Sequence, residues 1–116
     1  MQELNELETT LLNGLTEKYP SLKSHLSHLK VTKRQTSGFS LYVYFSYVDF
    51  SEEPEMINAL FSNGEKIEIP SLKEGLSYVI DVTAGLIEHI EFSTYKENWD
   101  GTFNDYKIVK SEMNNQ

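Results

Sequence analysis

Three histidines, three acids around one hairpin and a scatter of serines are the side chains whose chemistry could matter here. His25 and His28 stand three residues apart. On a short helix they would share a face, and a metal site would need a further ligand such as His89 or a carboxylate. Set among Leu22, Leu26 and Leu29, they are expected on the solvent flank of that helix instead, with no metal. Asp81, Glu88 and Glu91 crowd one hairpin. Paired carboxylates do acid–base work when burial separates their pKa values, but the expected register points Glu88 away from Asp81 and Glu91. Ser, His and Asp all occur without a G-x-S-x-G nucleophile turn, and no glycine loop is built for phosphate. The residues therefore predict no enzyme and no cofactor. Tyr42, Tyr44, Tyr95 and Trp99 could stack on bases, but they lack basic neighbours, and a protein interface suits them better than nucleic acid.

The element that must position these groups is LSYVIDVTAGLIEHIEFSTYKENW, Leu76 to Trp99. It reads as two strands joined at Thr83-Ala84-Gly85. A two-residue turn would set Val82 opposite Ile87 and Ile80 opposite His89, scattering apolar side chains over both faces. A three-residue turn with Gly85 left-handed pairs Val82 with Leu86. Leu76, Tyr78, Ile80, Val82, Leu86, Ile90 and Phe92 then share one face, and a one-residue slip would invert them all. Only Glu88 breaks that face. An unpaired buried carboxylate is costly, so Arg34, the only arginine, is expected to hold Glu88 or Glu91 with its two-pronged guanidinium. The alternative is a solvated Arg34 on an edge strand.

Upstream, Leu4, Leu7, Leu11 and Leu15 form one stripe of an amphipathic helix that Pro20 stops. Pro20 opens a second, short helix through Leu29, with Leu22, Leu26 and Leu29 inward. Lys30 to Thr36 reads as an edge strand. FSLYVYFSYVDF, from Phe39, is the strongest strand, with Phe39, Leu41, Val43, Phe45 and Tyr47 on the core face and Tyr42 and Tyr44 on a half-covered second face. Met56 to Phe61 reads as a helical turn, Glu65 to Ile69 as a short strand, and Phe103 to Val109 as a last strand or packed tail. Residues 111–116 are expected to fray. The sum is one domain over residues 1–116, an α+β fold with two N-terminal helices packed on one face of a mostly antiparallel sheet of about five strands.

The chain has no cysteine, which excludes disulfides and thiolate sites and fits a cytoplasmic setting. Its polar, acidic start, MQELNELE, reads as no signal peptide, and no apolar run is long enough to span a bilayer. The net charge of −8 is uneven. Residues 1–48 carry +1, residues 49–75 and 76–105 carry −5 each, and the last eleven carry +1. Such a surface repels nucleic acid and anionic membranes and attracts basic proteins; it also serves plain solubility.

RQTSGFSLY (Arg34 to Tyr42) followed by GLSYVIDVTAGLIEHIEFSTYKENW (Gly75 to Trp99) resembles a widespread group of small bacterial proteins. In that group a helix pair precedes an R-x-T-x-G-like hairpin, and a later hairpin ends in a G-x-[LI]-x-x-[LI]-E-[YF]-x-x-Y-x-x-x-W-like signature. Gly85, Ile87, Ile90, Glu91, Phe92, Tyr95 and Trp99 match it, and the chain departs from it with Ala84 where an aspartate is usual. Some members look like immunity proteins that accompany bacterial toxins, including contact-dependent inhibition systems. The resemblance adds weight to Arg34 and Glu91 as a structural pair.

Together these readings predict an immunity protein that occludes a toxin domain, docking an acidic surface on a basic active-site cleft such as that of a nuclease. The expected contact residues are Asp49, Glu52, Glu53, Glu55, Glu91, Tyr95 and Asp100. The alternative is a small-molecule-binding or metabolic accessory domain with a pocket between helices and sheet. The chain is expected to be a monomer, or a weak homodimer through the Tyr42/Tyr44 face.

Overall fold

The computed structural model describes residues 1–110; the expectation of a frayed 111–116 lies outside them. The first helix, α1 (Glu6–Lys18), begins where Asn5 and Glu8 trade hydrogen bonds. The Asn5 side chain accepts from the Glu8 N–H at 2.8 Å, and Glu8 Oε1 accepts from the Asn5 N–H at 2.9 Å. This reciprocal cap satisfies two of the donors a helix start leaves open. Leu7, Leu11, Leu12 and Leu15 form its buried stripe.

Pro20 opens a second helix as expected, but Pro20–His28 is a 3-10 helix. With three residues per turn, side chains at i and i+3 eclipse. The inward row is therefore Leu22 and His25, with Leu26 only half-buried. The expectation of His25 on the solvent flank is overturned by that change of period.

Seven strands follow: β1 (Leu29–Ser37), β2 (Ser40–Tyr47), β3 (Ala59–Phe61), β4 (Glu65–Glu68), β5 (Leu76–Thr83), β6 (Leu86–Thr94) and β7 (Lys107–Lys110). They form one antiparallel sheet ordered β1-β2-β6-β5-β4-β7, with β3 also paired to β5. The strands beyond the expected five are short. β3 stands where a helical turn was expected, because Ala59, Leu60 and Phe61 pair with Val82, Asp81 and Ile80. At the outer side of β1, Gln2 and Val31 exchange two backbone hydrogen bonds of 2.8 Å. Phe39, expected in the core, sits in the β1–β2 turn and is exposed.

The β5–β6 hairpin corrects the expected turn. Thr83 pairs with Leu86 and Val82 with Ile87, so the turn has two residues, Ala84 and Gly85. Both have positive φ, +52° and +80°, as a mirror-image type I turn requires. The pairing then skips Glu88, and Asp81 faces His89 while Ile80 faces Ile90. Glu88 is the extra residue of a β-bulge. The bulge restores the apolar face that a two-residue turn alone would scatter. Leu76, Tyr78, Ile80, Val82, Ile87, Ile90 and Phe92 are buried together with the leucines of both helices in one core. Ile87 takes the place expected of Leu86, and Glu88 stands in solvent.

Arg34 accordingly serves neither Glu88 nor Glu91. Its Nε and Nη2 donate to Glu8 Oε2 and Oε1, each at 2.9 Å. Glu8 is 2% exposed. The sole arginine thus ties β1 to the N-terminal cap of α1.

Candidate functional site

The helices close one face of the sheet. The other face, set by the period-two alternation of the strands, can be read in rows across the register. Lys33 lies opposite Tyr44, Tyr44 opposite His89, His89 opposite Asp81, and Asp81 opposite Leu60. The next row is Gln35, Tyr42, Glu91 and Val79, and the third is four serines, Ser37, Ser40, Ser93 and Ser77. Tyr42, Tyr44, His89, Glu91, Ser40 and Ser93 are half-buried, and Leu60 at the border is 73% exposed.

The middle of this open face is aromatic. The Tyr42 and Tyr44 rings stack with centroids 6.0 Å apart and planes 12° from parallel. The His89 ring tilts against both, at 5.9 and 5.6 Å. Lys33 Nζ stands 5.4 Å over the Tyr44 ring, a cation–π distance. Beside the rings, the Tyr42 hydroxyl donates to Glu91 Oε2 at 3.1 Å. That bond to Glu91 is the main reason the Tyr42 phenol is held above its usual range. Ser93 Oγ and Ser40 Oγ lie 3.4 and 3.5 Å from the same Glu91 oxygen and 3.4 Å from each other. Stacked rings, hydroxyls and a carboxylate on a sheet face are the parts of a contact surface.

The expected contact residues fall in three places. Asp49, Glu52, Glu53 and Glu55 lie on the connector between β2 and β3 and are exposed. Glu52 Oε1 accepts from Ser24 Oγ at 2.8 Å. The connector passes the β5–β6 turn, where Gly85 N–H donates to Ile57 O and Ala84 N–H to Asn58 Oδ1, both at 2.8 Å. Glu91 is central on the open face. Tyr95, 56% exposed, lines a cleft of about 460 Å³ with Ser77, Lys66 and Lys110, bordering the serine row. Asp100 lies toward the β1–β2 end, next to Gly101, which packs against Thr36. There it accepts from the Thr102 hydroxyl at 2.8 Å and the Thr102 N–H at 3.0 Å; those bonds hold its carboxyl below the usual range. β6 alone, from Leu86 to Thr94, spans about 25 Å. The structure thus brings Glu91 and Tyr95 toward one surface and leaves the connector acids at one end and Asp100 at the other.

The histidines have separate duties. His89 belongs to the aromatic centre. His28 Nδ1 donates to Val48 O at 3.0 Å. His25, 2% exposed, has Nδ1 2.8 Å from the Tyr47 hydroxyl, which itself accepts from the Ile87 N–H at 2.9 Å. Burial pushes the Tyr47 phenol up to about 12, so it stays protonated beside His25 Nδ1. Burial also lowers the His25 pKa, with Glu52 opposing and His28 reinforcing that shift. Among the described residues, no three His, Asp or Glu side chains gather as a metal-binding group.

The alternative of a pocket between helices and sheet has a counterpart in a cleft of about 220 Å³ where α1, the 3-10 helix and β1 meet, lined by Leu4, Leu12, Leu26 and Leu29. Ligand pockets usually begin at about 300 Å³. A larger cleft of about 390 Å³, lined by Lys66, Lys73 and Lys107 with Glu68 and Asp105, lies by β4 and β7 instead. Sequence reasoning marked Tyr42 and Tyr44 as a second face, with Ser40 in the same alternation, but did not bring His89 and Ser93 against them. Their alternation was visible; the pairing of β2 with β6, about fifty residues apart, was not. Among the described residues no helix is long and apolar enough to cross a membrane. Comparison of the chain with protein-family models, with curated proteins and with solved structures gave no match.

Proposed function

We propose that this chain is an immunity-type binding protein that occludes a basic cleft of a partner toxin domain, such as a nuclease, with the open face of its sheet. The observation that carries the reading is the uncovered aromatic centre of Tyr42, Tyr44 and His89, with Glu91 and Asp81 on the same face. Interfaces take most of their affinity from a few aromatic anchors near the centre. The surrounding acids, with a net charge of −8, speed approach to a cationic partner. The four connector acids contribute to this field from the hairpin end and Asp100 from the other, whereas Glu91 and Tyr95 make direct contact. The protein acts by covering a site, without catalysis, in the cytoplasm where such a toxin would do its damage.

The test is co-expression with the protein encoded beside it, followed by affinity measurement. A complex should form, and Tyr42→Ala with Tyr44→Ala should weaken it at least tenfold, as expected of central aromatic anchors. Affinity should fall as salt rises. A complex indifferent to both would remove the reading.

A further inference from the structure

The three oxygens beside the aromatic pair form a nearly equilateral triangle. Glu91 Oε2, Ser40 Oγ and Ser93 Oγ are 3.4 to 3.5 Å apart on every side. Each side is long for an O–H···O bond, which favours about 2.8 Å. The two serines therefore do not satisfy one another well. An atom about 2.8 Å from all three corners, an ordinary hydrogen-bond length, would stand about 2 Å above their plane. The corners come from three residues on two strands, β2 and β6, and carry one negative charge.

We propose that this triangle is a seat for a primary ammonium, the tip of a lysine side chain presented by the basic partner. The inference rests on the docking reading above and names the chemistry recognised at its centre. An ammonium has three N–H donors on one compact charged atom, one for each corner. A guanidinium is a planar fork suited to the two oxygens of one carboxylate, whereas the three acceptors here belong to three different residues, one of them the Glu91 oxygen that also accepts from Tyr42. The Tyr42 hydroxyl borders the seat through its bond to the Glu91 corner. One row away the chain's own Lys33 ammonium stands over Tyr44, so this face already receives one lysine tip. The charged and titratable groups on this face are Lys33, Tyr42, Tyr44, His89, Asp81 and Glu91, with Tyr95, Lys66, Glu68 and Lys107 beyond the serine row toward β4 and β7; of these, Glu91 forms a corner of the triangle and Tyr42 donates to it.

The full chain, isotope-labelled, should be titrated with hexalysine, hexa-arginine and a hexamer of trimethyllysine while the backbone amides are followed by NMR. Trimethyllysine keeps the charge and lacks N–H donors. Hexalysine should shift the amides of Ser40, Glu91 and Ser93 first. Trimethylation should weaken binding about tenfold, as loss of charge-assisted hydrogen bonds implies. Hexa-arginine should bind more weakly than hexalysine. Glu91→Gln should weaken hexalysine about tenfold, and Ser40→Ala with Ser93→Ala about fivefold. These variants lie on the open face, and their amide spectra report whether each remains folded. Trimethyllysine binding as tightly as lysine, an inert serine pair, or shifts centred on Glu52 to Glu55 would overturn the proposal. Lysine seated here without any basic protein partner would leave the seat standing and remove the docking reading. A toxin complex indifferent to lysine methylation would do the reverse.

Discussion

Glu8 and Glu91 are both carboxylates touching the sheet, and the fold treats them in opposite ways. Glu8 is buried, gripped by both prongs of Arg34 and by the Asn5 N–H, all at 2.9 Å. Glu91 is half-buried and held by hydroxyls at 3.1 to 3.5 Å, and among the described residues no salt bridge reaches it. The first has its bonds completed inside the chain and serves to join α1 to β1. The second is left open to a donor from outside. Internal saturation separates a structural carboxylate from one available for binding, and neighbouring composition does not.

The largest expected effect tests the closed side. Glu8→Ala removes a cap and strands Arg34, and should cost about 3 kcal/mol in urea unfolding. If Glu8→Ala were as mild as Glu91→Gln, the contrast would collapse. Next comes pH, which probes the same covered side through His25. Its folded pKa lies below 6.5 because of burial, so the unfolded chain binds the proton more readily. Stability should be full above pH 6.5 and decline as pH falls from there toward the folded value. Unfolding midpoints between pH 7.5 and 5 should show that slope, and His25→Gln should flatten it. A smaller effect comes from the hairpin. Ala84 sits at φ +52°, where asparagine is at ease and alanine is not. Ala84→Asn should raise stability by about 0.5–1 kcal/mol, measured by thermal unfolding. The smallest belongs to the open side: Glu91→Gln should change stability by less than about 0.5 kcal/mol while weakening binding. A large stability loss there would make Glu91 a second Glu8.

The parts of this molecule that announced themselves in the sequence are those governed by a regular period. The leucines of α1 and the inward set of β5 follow from spacing alone, and Tyr78, Ile80 and Ile90 are indeed buried together. Three features escaped because each breaks a period or joins distant residues. The 3-10 helix replaced a repeat of 3.6 by one of three and carried His25 inward. The bulge at Glu88 added a residue to β6, so a shorter turn reached the expected face and removed the need for a buried partner. Arg34 found its acid 26 residues upstream, in a helix cap. The aromatic centre was half legible: alternation put Tyr42 and Tyr44 outward, but their meeting with His89 and Glu91 depends on long-range pairing.

The short bridge between Gln2 and Val31 has a consequence for the life of the protein in a crowded solution. A sheet with open borders invites other chains to add themselves by backbone pairing. Those first residues lie along one border like a hem and already occupy the groups of Val31. Trimming them would unpick that hem and make the shortened chain prone to self-association, a hazard that the intact molecule limits with two hydrogen bonds.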